Sequence, residues 1–77
     1  MRKQTYELYA SANKRLALNV RRLLKDKEWT VERLATEADQ DKGNIYNMLN
    51  GRINFTMRAV VRIERALGVD LSELFKK

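Results

Sequence analysis

No proline interrupts these 77 residues, and only three glycines do. A chain so poor in breakers favours helices joined by short turns. Apolar residues recur at helical spacing, three or four apart, along most of its length. Leu16, Val20, Leu23 and Leu24 mark a first helix that ends near Lys27–Glu28. Ser11 is a candidate N-cap for it, although Tyr9 and Ala12 extend the stripe upstream, towards a start near Thr5. Thr30 caps a second helix, roughly 31–38, with Val31, Leu34, Ala35 and Ala38 facing inward. Asp39 and Gln40 form a tight break. Asp41 caps a third helix, roughly 42–50, whose inner face is Ile45, Met48 and Leu49 and which Gly51 stops. Residues 52–55 read as a loop. Thr56 caps a fourth helix with Val60, Ile63 and Leu67 on one face, ended by Gly68. Asp70 followed by Glu73 has the spacing of a capping box, with Val69 and Leu74 as its hydrophobic staple and Phe75 docked on the core. The fold class is therefore all-α, with five helices.

Composition narrows the chemistry. With no Cys and no His, disulfides, zinc fingers and thiol or imidazole catalysis are excluded. No pair of carboxylates, lysines or hydroxyls has a catalytic pattern, so an enzyme is not expected, and neither is a cofactor or a metal. No apolar run approaches the roughly 20 residues of a membrane span, and the N-terminus lacks a signal-peptide core. A cytoplasmic, nucleoid-associated protein is expected. Sixteen Lys and Arg against ten Asp and Glu give a net charge of +6, which points to a polyanionic partner. The charge is uneven: residues 28–50 hold five acidic residues against Arg33 and Lys42, whereas residues 1–27 are strongly basic. An amphipathic basic helix on a membrane surface is the minor alternative for that first stretch.

Two short helices on either side of a tight break have the spacing of a helix-turn-helix, whose second helix enters the DNA major groove. The groove is about 12 Å wide, close to the diameter of a helix with its side chains. From Leu16 to Phe75 the sequence resembles the lambda-repressor/Cro-like (XRE-type) helix-turn-helix family. The resemblance is carried by Val20, by the run from Trp29 through Thr30 to Leu34 and Ala35, by Ile45, and by Asn50 with Gly51. It continues through Thr56 to Ile63 and through Ala66, Leu67, Gly68, Val69, Asp70, Leu71, Leu74 and Phe75. It implies a compact five-helix DNA-binding domain over residues 13–77, preceded by an extension, residues 1–12, that is a basic arm or a lengthening of the first helix. It also implies a homodimeric transcription regulator, most often a repressor, on an inverted-repeat operator in double-stranded DNA.

By the same resemblance, Lys42 and Gly43 stand at base-reading positions; Asn47 lies on the same helical face about one turn further on, and Tyr46 is a fourth candidate, for a thymine methyl or a phosphate. A Lys donates to guanine O6 and N7, and an Asn pairs with adenine N6 and N7. Thr30, Asn44, Asn50, Arg52, Asn54 and Arg58 are the phosphate candidates, and Arg2 and Lys3 the candidates for a mobile arm. Tyr6, Leu8 and Tyr9 are expected to pack on their own domain or on a dimer mate, and Met57, Val61 and Phe75 are candidate dimer contacts. The chain departs from the family at Val31, where Gln is common, at Asp39, where Gly is usual, and at Gln40, an apolar position. Leu24 and Leu49 replace an Arg–Glu pair, and Glu64 replaces a small residue that faces inward on the fourth helix, so it must reach solvent or pair with an Arg. A protein partner, such as a toxin or an antirepressor, is the alternative to DNA as the main target.

Overall fold

A computed structural model describes the backbone from Lys3 to Lys77, with side chains from Leu8 onward. Five helices follow in order: α1 (Lys3–Lys27), α2 (Val31–Glu37), α3 (Lys42–Leu49), α4 (Met57–Leu67) and α5 (Leu71–Leu74). At about 1.5 Å per residue, α1 alone accounts for the 37 Å long axis of the molecule. It runs unbroken across residue 12. Ser11 is exposed in its interior and is not a cap, because the helix starts eight residues earlier.

The core is one cluster. Leu16, Val20, Leu23 and Leu24 of α1 meet Leu34 and Ala35 of α2, Ile45, Met48 and Leu49 of α3, Val60, Ile63 and Leu67 of α4, and Leu74. Leu24 and Leu49, which replace an ion pair, are both buried in it. Two packed apolar groups there avoid the desolvation cost that a buried ion pair carries. Helix α1 is the spine, packed against both α3 and α5. Glu64 is half-buried and forms no ion pair among the described residues.

Four helices end in the same way. In each, the residue after the last turn has positive φ: Glu28 (58°), Asp39 (52°), Gly51 (77°) and Gly68 (68°). Paired backbone bonds close each end. Trp29 N–H donates to the Leu24 carbonyl and Glu28 N–H to that of Lys25. Gln40 N–H likewise donates to Ala35 and Asp39 N–H to Thr36. These are Schellman motifs, which satisfy carbonyls that the helix leaves unpaired. At Asp39 the turn has a second support: Arg62 of α4 donates through Nη1 to the Asp39 carbonyl oxygen at 2.9 Å.

Two sequence expectations fail at the ends of the chain, and one of the two alternatives for a third is excluded. Asp70 makes no side-chain capping bond, and Glu73 turns instead towards Arg22 and Lys76, at 3.6 and 3.9 Å. With only four residues in α5, the Glu73 carboxylate finds two cations more readily than the Asp70 amide. Phe75 is 38% exposed, and its neighbour Leu74 is the residue that closes the core. Leu8 and Tyr9 do not pack on their own domain, being 71% and 54% exposed, because that part of α1 projects past the body. Tyr6 and the Arg2–Lys3 arm fall outside the residues whose side chains are described. Met57 is exposed and Val61 half-buried.

Candidate nucleic-acid interface

Helices of seven and eight residues are too short to persist alone in water, so α2 and α3 depend on caps and on packing. Thr30 accepts the Arg33 N–H at 3.0 Å through its hydroxyl oxygen. Asp41 accepts the Asn44 N–H at 3.1 Å. Gly43 has a part in this second cap. A Cβ at Gly43 would stand 2.9 Å from Asp41 Oδ2, so the glycine leaves room for the capping carboxylate over the first turn of α3. Sequence reading had placed Gly43 only as a base-reading position without a side chain.

With Ile45, Met48 and Leu49 buried, the opposite face of α3 is fixed. Lys42, Gly43 and Tyr46 are exposed on it and Asn47 is half-buried. Their spacing, i, i+1, i+4 and i+5, gathers the four onto one strip starting at the N-terminus of the helix. Asn44 is exposed beside the strip, its N–H engaged by the cap.

Tyr46 is tied down. Its hydroxyl donates to Glu32 Oε2 of α2 at 2.9 Å, which bridges the two helices of the motif. The Glu32 carboxyl is held below its ordinary range, first by a hydrogen bond from its own backbone N–H, then by the Tyr46 hydroxyl, with Lys42 adding a favourable charge against a small desolvation cost. The Tyr46 phenol is pushed up in turn, first by the bond to Glu32, then by desolvation and by the negative charge. The start of α2 therefore already holds a carboxylate, and the Tyr46 proton already has an acceptor. Neither feature was legible in the sequence, although Glu32 and Tyr46 both carry hydrogen-bonding groups on predicted helices.

The phosphate candidates lie at the starts of helices and in the segment after α3. Thr30 lies at the start of α2. Asn50, Arg52 and Asn54 lie after α3, and Arg58 at the start of α4; all are exposed. The loop after α3 is pinned from α1. Arg21 Nη2 donates to Asn50 Oδ1 at 2.9 Å. Asn13 Nδ2 donates to Asn54 Oδ1 at 3.0 Å, while Asn13 Oδ1 accepts the Phe55 N–H at 2.8 Å. Asn13 and Arg21 are positioning residues that the sequence did not single out; both are polar groups on the α3 side of α1. Beside α2, the Arg33 guanidinium stacks on half-buried Trp29 at 4.5 Å, with the Lys27 ammonium at 5.3 Å.

Among the described residues no group of His, Cys, Asp and Glu is placed to hold a metal ion, and no helix is long and apolar enough to cross a membrane. The fold is similar to that of a solved structure, the restriction-modification controller protein C.AhdI from Aeromonas hydrophila. That match has a TM-score of 0.78 and 22% sequence identity, over 84% of this chain and 98% of the other. No curated protein gives a significant match. A family model, the Cro/C1-type HTH DNA-binding domain, matches residues 19–76, which take in all of α2 through α5 and the C-terminal part of α1, with Val20, Leu23 and Leu24 of the core. The chain belongs to the Cro/C1-type helix-turn-helix DNA-binding family.

Proposed function

We propose that this protein is a sequence-specific transcription regulator, a repressor, that binds an inverted-repeat operator as a homodimer with α3 in the major groove. Control of a restriction-modification system is one such role. The observation that carries the reading is the single outward strip of Lys42, Gly43, Tyr46 and Asn47, on a helix whose other face is locked into the core. Lys42 and Asn47 are the base-reading donors in this proposal. Gly43 brings the backbone close to the bases. Tyr46, already bonded to Glu32, offers its ring edge to a thymine methyl. Thr30, Asn44, Asn50, Arg52, Asn54 and Arg58 position the domain on phosphates. If about six phosphates are neutralised, the log–log salt slope is about −5.

The test is selection of random and genomic DNA fragments by the purified protein near physiological salt. Enrichment of an inverted repeat supports a dimeric reader, and its half-site spacing gives the dimer geometry. Salt-sensitive binding with no enriched sequence defeats the proposal. A second reading, with a protein as main partner, has one observation in its favour. A groove of about 690 Å³ between α1 and the 50–54 loop is lined in part by Tyr9, Leu18 and Ile53, all partly exposed.

A further inference from the structure

The basic charge of the chain is not carried by its reading helices. Between residues 28 and 50, Glu28, Glu32, Glu37, Asp39 and Asp41 outnumber Arg33 and Lys42. Between α1 and the residues after α5, by contrast, Lys14, Arg15, Lys76 and Lys77 line one depression of about 310 Å³, with Ser11, Leu18 and Asn19. None of Lys42, Gly43, Tyr46 and Asn47 lines this depression, although Lys14 and Leu18 border both it and the groove beside the 50–54 loop.

The cations are held together. Asn19 is buried at 9% exposure. Its Nδ2 group donates both hydrogens to the chain end, to the Leu74 carbonyl at 2.7 Å and to the Lys76 carbonyl at 2.8 Å. The backbone of the tail is thereby fixed against α1, and Lys76 and Lys77 are brought beside Lys14 and Arg15. Like charges alone drive such a tail away. Glu73, shared between Arg22 and Lys76, is the carboxylate that meets the group. Four cations border the depression, and buried hydrogen bonds fix the backbone that carries two of them, an arrangement suited to an anion that reaches across its rim.

We propose that this depression is a second phosphate-backbone site, which takes a second DNA duplex while α3 reads the first. The proposal rests on the reading of α3 given above, since bridging needs two sites. A concave surface admits the convex ridge of a duplex backbone, whereas a bilayer is flat and offers no ridge. Three lysines supply point charges on flexible stems and Arg15 a planar fork of donors, and both suit phosphates whatever the sequence.

The experiment tethers a random-sequence duplex to beads, saturates it with the full chain, and offers a fluorescent random-sequence duplex in solution. Capture of the second duplex is expected, with a drop of about tenfold or more for K14Q/R15Q/K76Q/K77Q and a salt slope shallower by about 3 to 4. The same variant is expected to keep its melting temperature, since its changes are at the surface, and to keep any preferred sequence. Undiminished capture by this variant overturns the second site and leaves the reading of α3 untouched. Capture lost only in K42A/N47A means that two reading heads of a dimer bridge the duplexes, which also overturns it. Phosphatidylglycerol vesicles bound more tightly than duplex through the same four residues overturn it in favour of a membrane surface. Failure of the α3 reading has a separate sign: K42A/N47A leaves sequence preference unchanged, while the quadruple variant still loses salt dependence.

Discussion

Helix α1 and the α2–α3 pair solve opposite problems. With 25 residues, α1 spans the molecule, and its C-terminus is closed by left-handed Glu28 and backbone hydrogen bonds. The pair has seven and eight residues and is stapled at every end, by Thr30, Asp41, two left-handed closures and the Glu32–Tyr46 bridge. Charge divides in the same way: α1 is basic, and the pair is locally acidic. The difference separates two tasks. On the proposed reading, the spine and the tail add long-range attraction to a polyanion. Recognition is left to a short helix that must be held rigidly, because a reading side chain is useful only at a fixed place.

The largest expected effect breaks the joint between the two regions. Leu49→Glu puts an unpaired charge in the core beside Leu24, at a cost of about 3–5 kcal/mol. Thermal or urea unfolding measures it, and an unchanged midpoint removes Leu49 from the joint. Next, Asn47→Ala is expected to weaken operator binding by about 1–3 kcal/mol and to relax preference at one base pair. Equal loss on every sequence makes Asn47 a structural residue only. The helix ends allow a finer comparison. Glu28 and Asp39 hold left-handed backbone that glycine adopts freely, so Glu28→Gly is expected to stabilise by about 1 kcal/mol. Asp39→Gly gains less, since Asp tolerates that conformation better and Arg62 already supports the turn. A larger gain at Asp39 reverses the ranking.

The smallest effect concerns pH. The carboxyl of Glu32 titrates below its ordinary range when folded, so its contribution is present above the unfolded pKa and lost as pH falls through the folded value. The phenol of Tyr46 is raised, so its share is present at lower pH and lost as alkaline pH rises through the folded value. The expected outcome is that Tyr46→Phe moves the Glu32 carboxyl, followed by carbon NMR, back towards its ordinary range. No movement places the shift wholly on the backbone hydrogen bond.

The helices and their starts were legible because they are local. Thr30, Asp41 and Thr56 each cap through a bond three residues away, and each is found doing so. Gly51 and Gly68 announced their helix ends, because glycine is the residue that a left-handed closure usually takes. Glu28 gave no such signal, since a side chain there pays a conformational cost that neighbouring packing must offset.

The inner strip of α3 followed from its apolar period, and the outer strip follows from the inner by geometry alone. Sequence by itself therefore determined an all-helical chain, its family, and the four residues turned away from the core. Tertiary structure alone decided that Tyr46 is bonded to Glu32, that Asn13 and Arg21 pin the loop after α3, and that Asn19 gathers four cations beside α1. Those contacts join residues from 14 to 57 positions apart. Helical periodicity has no reach over such separations, so only the packing of α2 on α3, and of α1 against α3 and α5, brings them together.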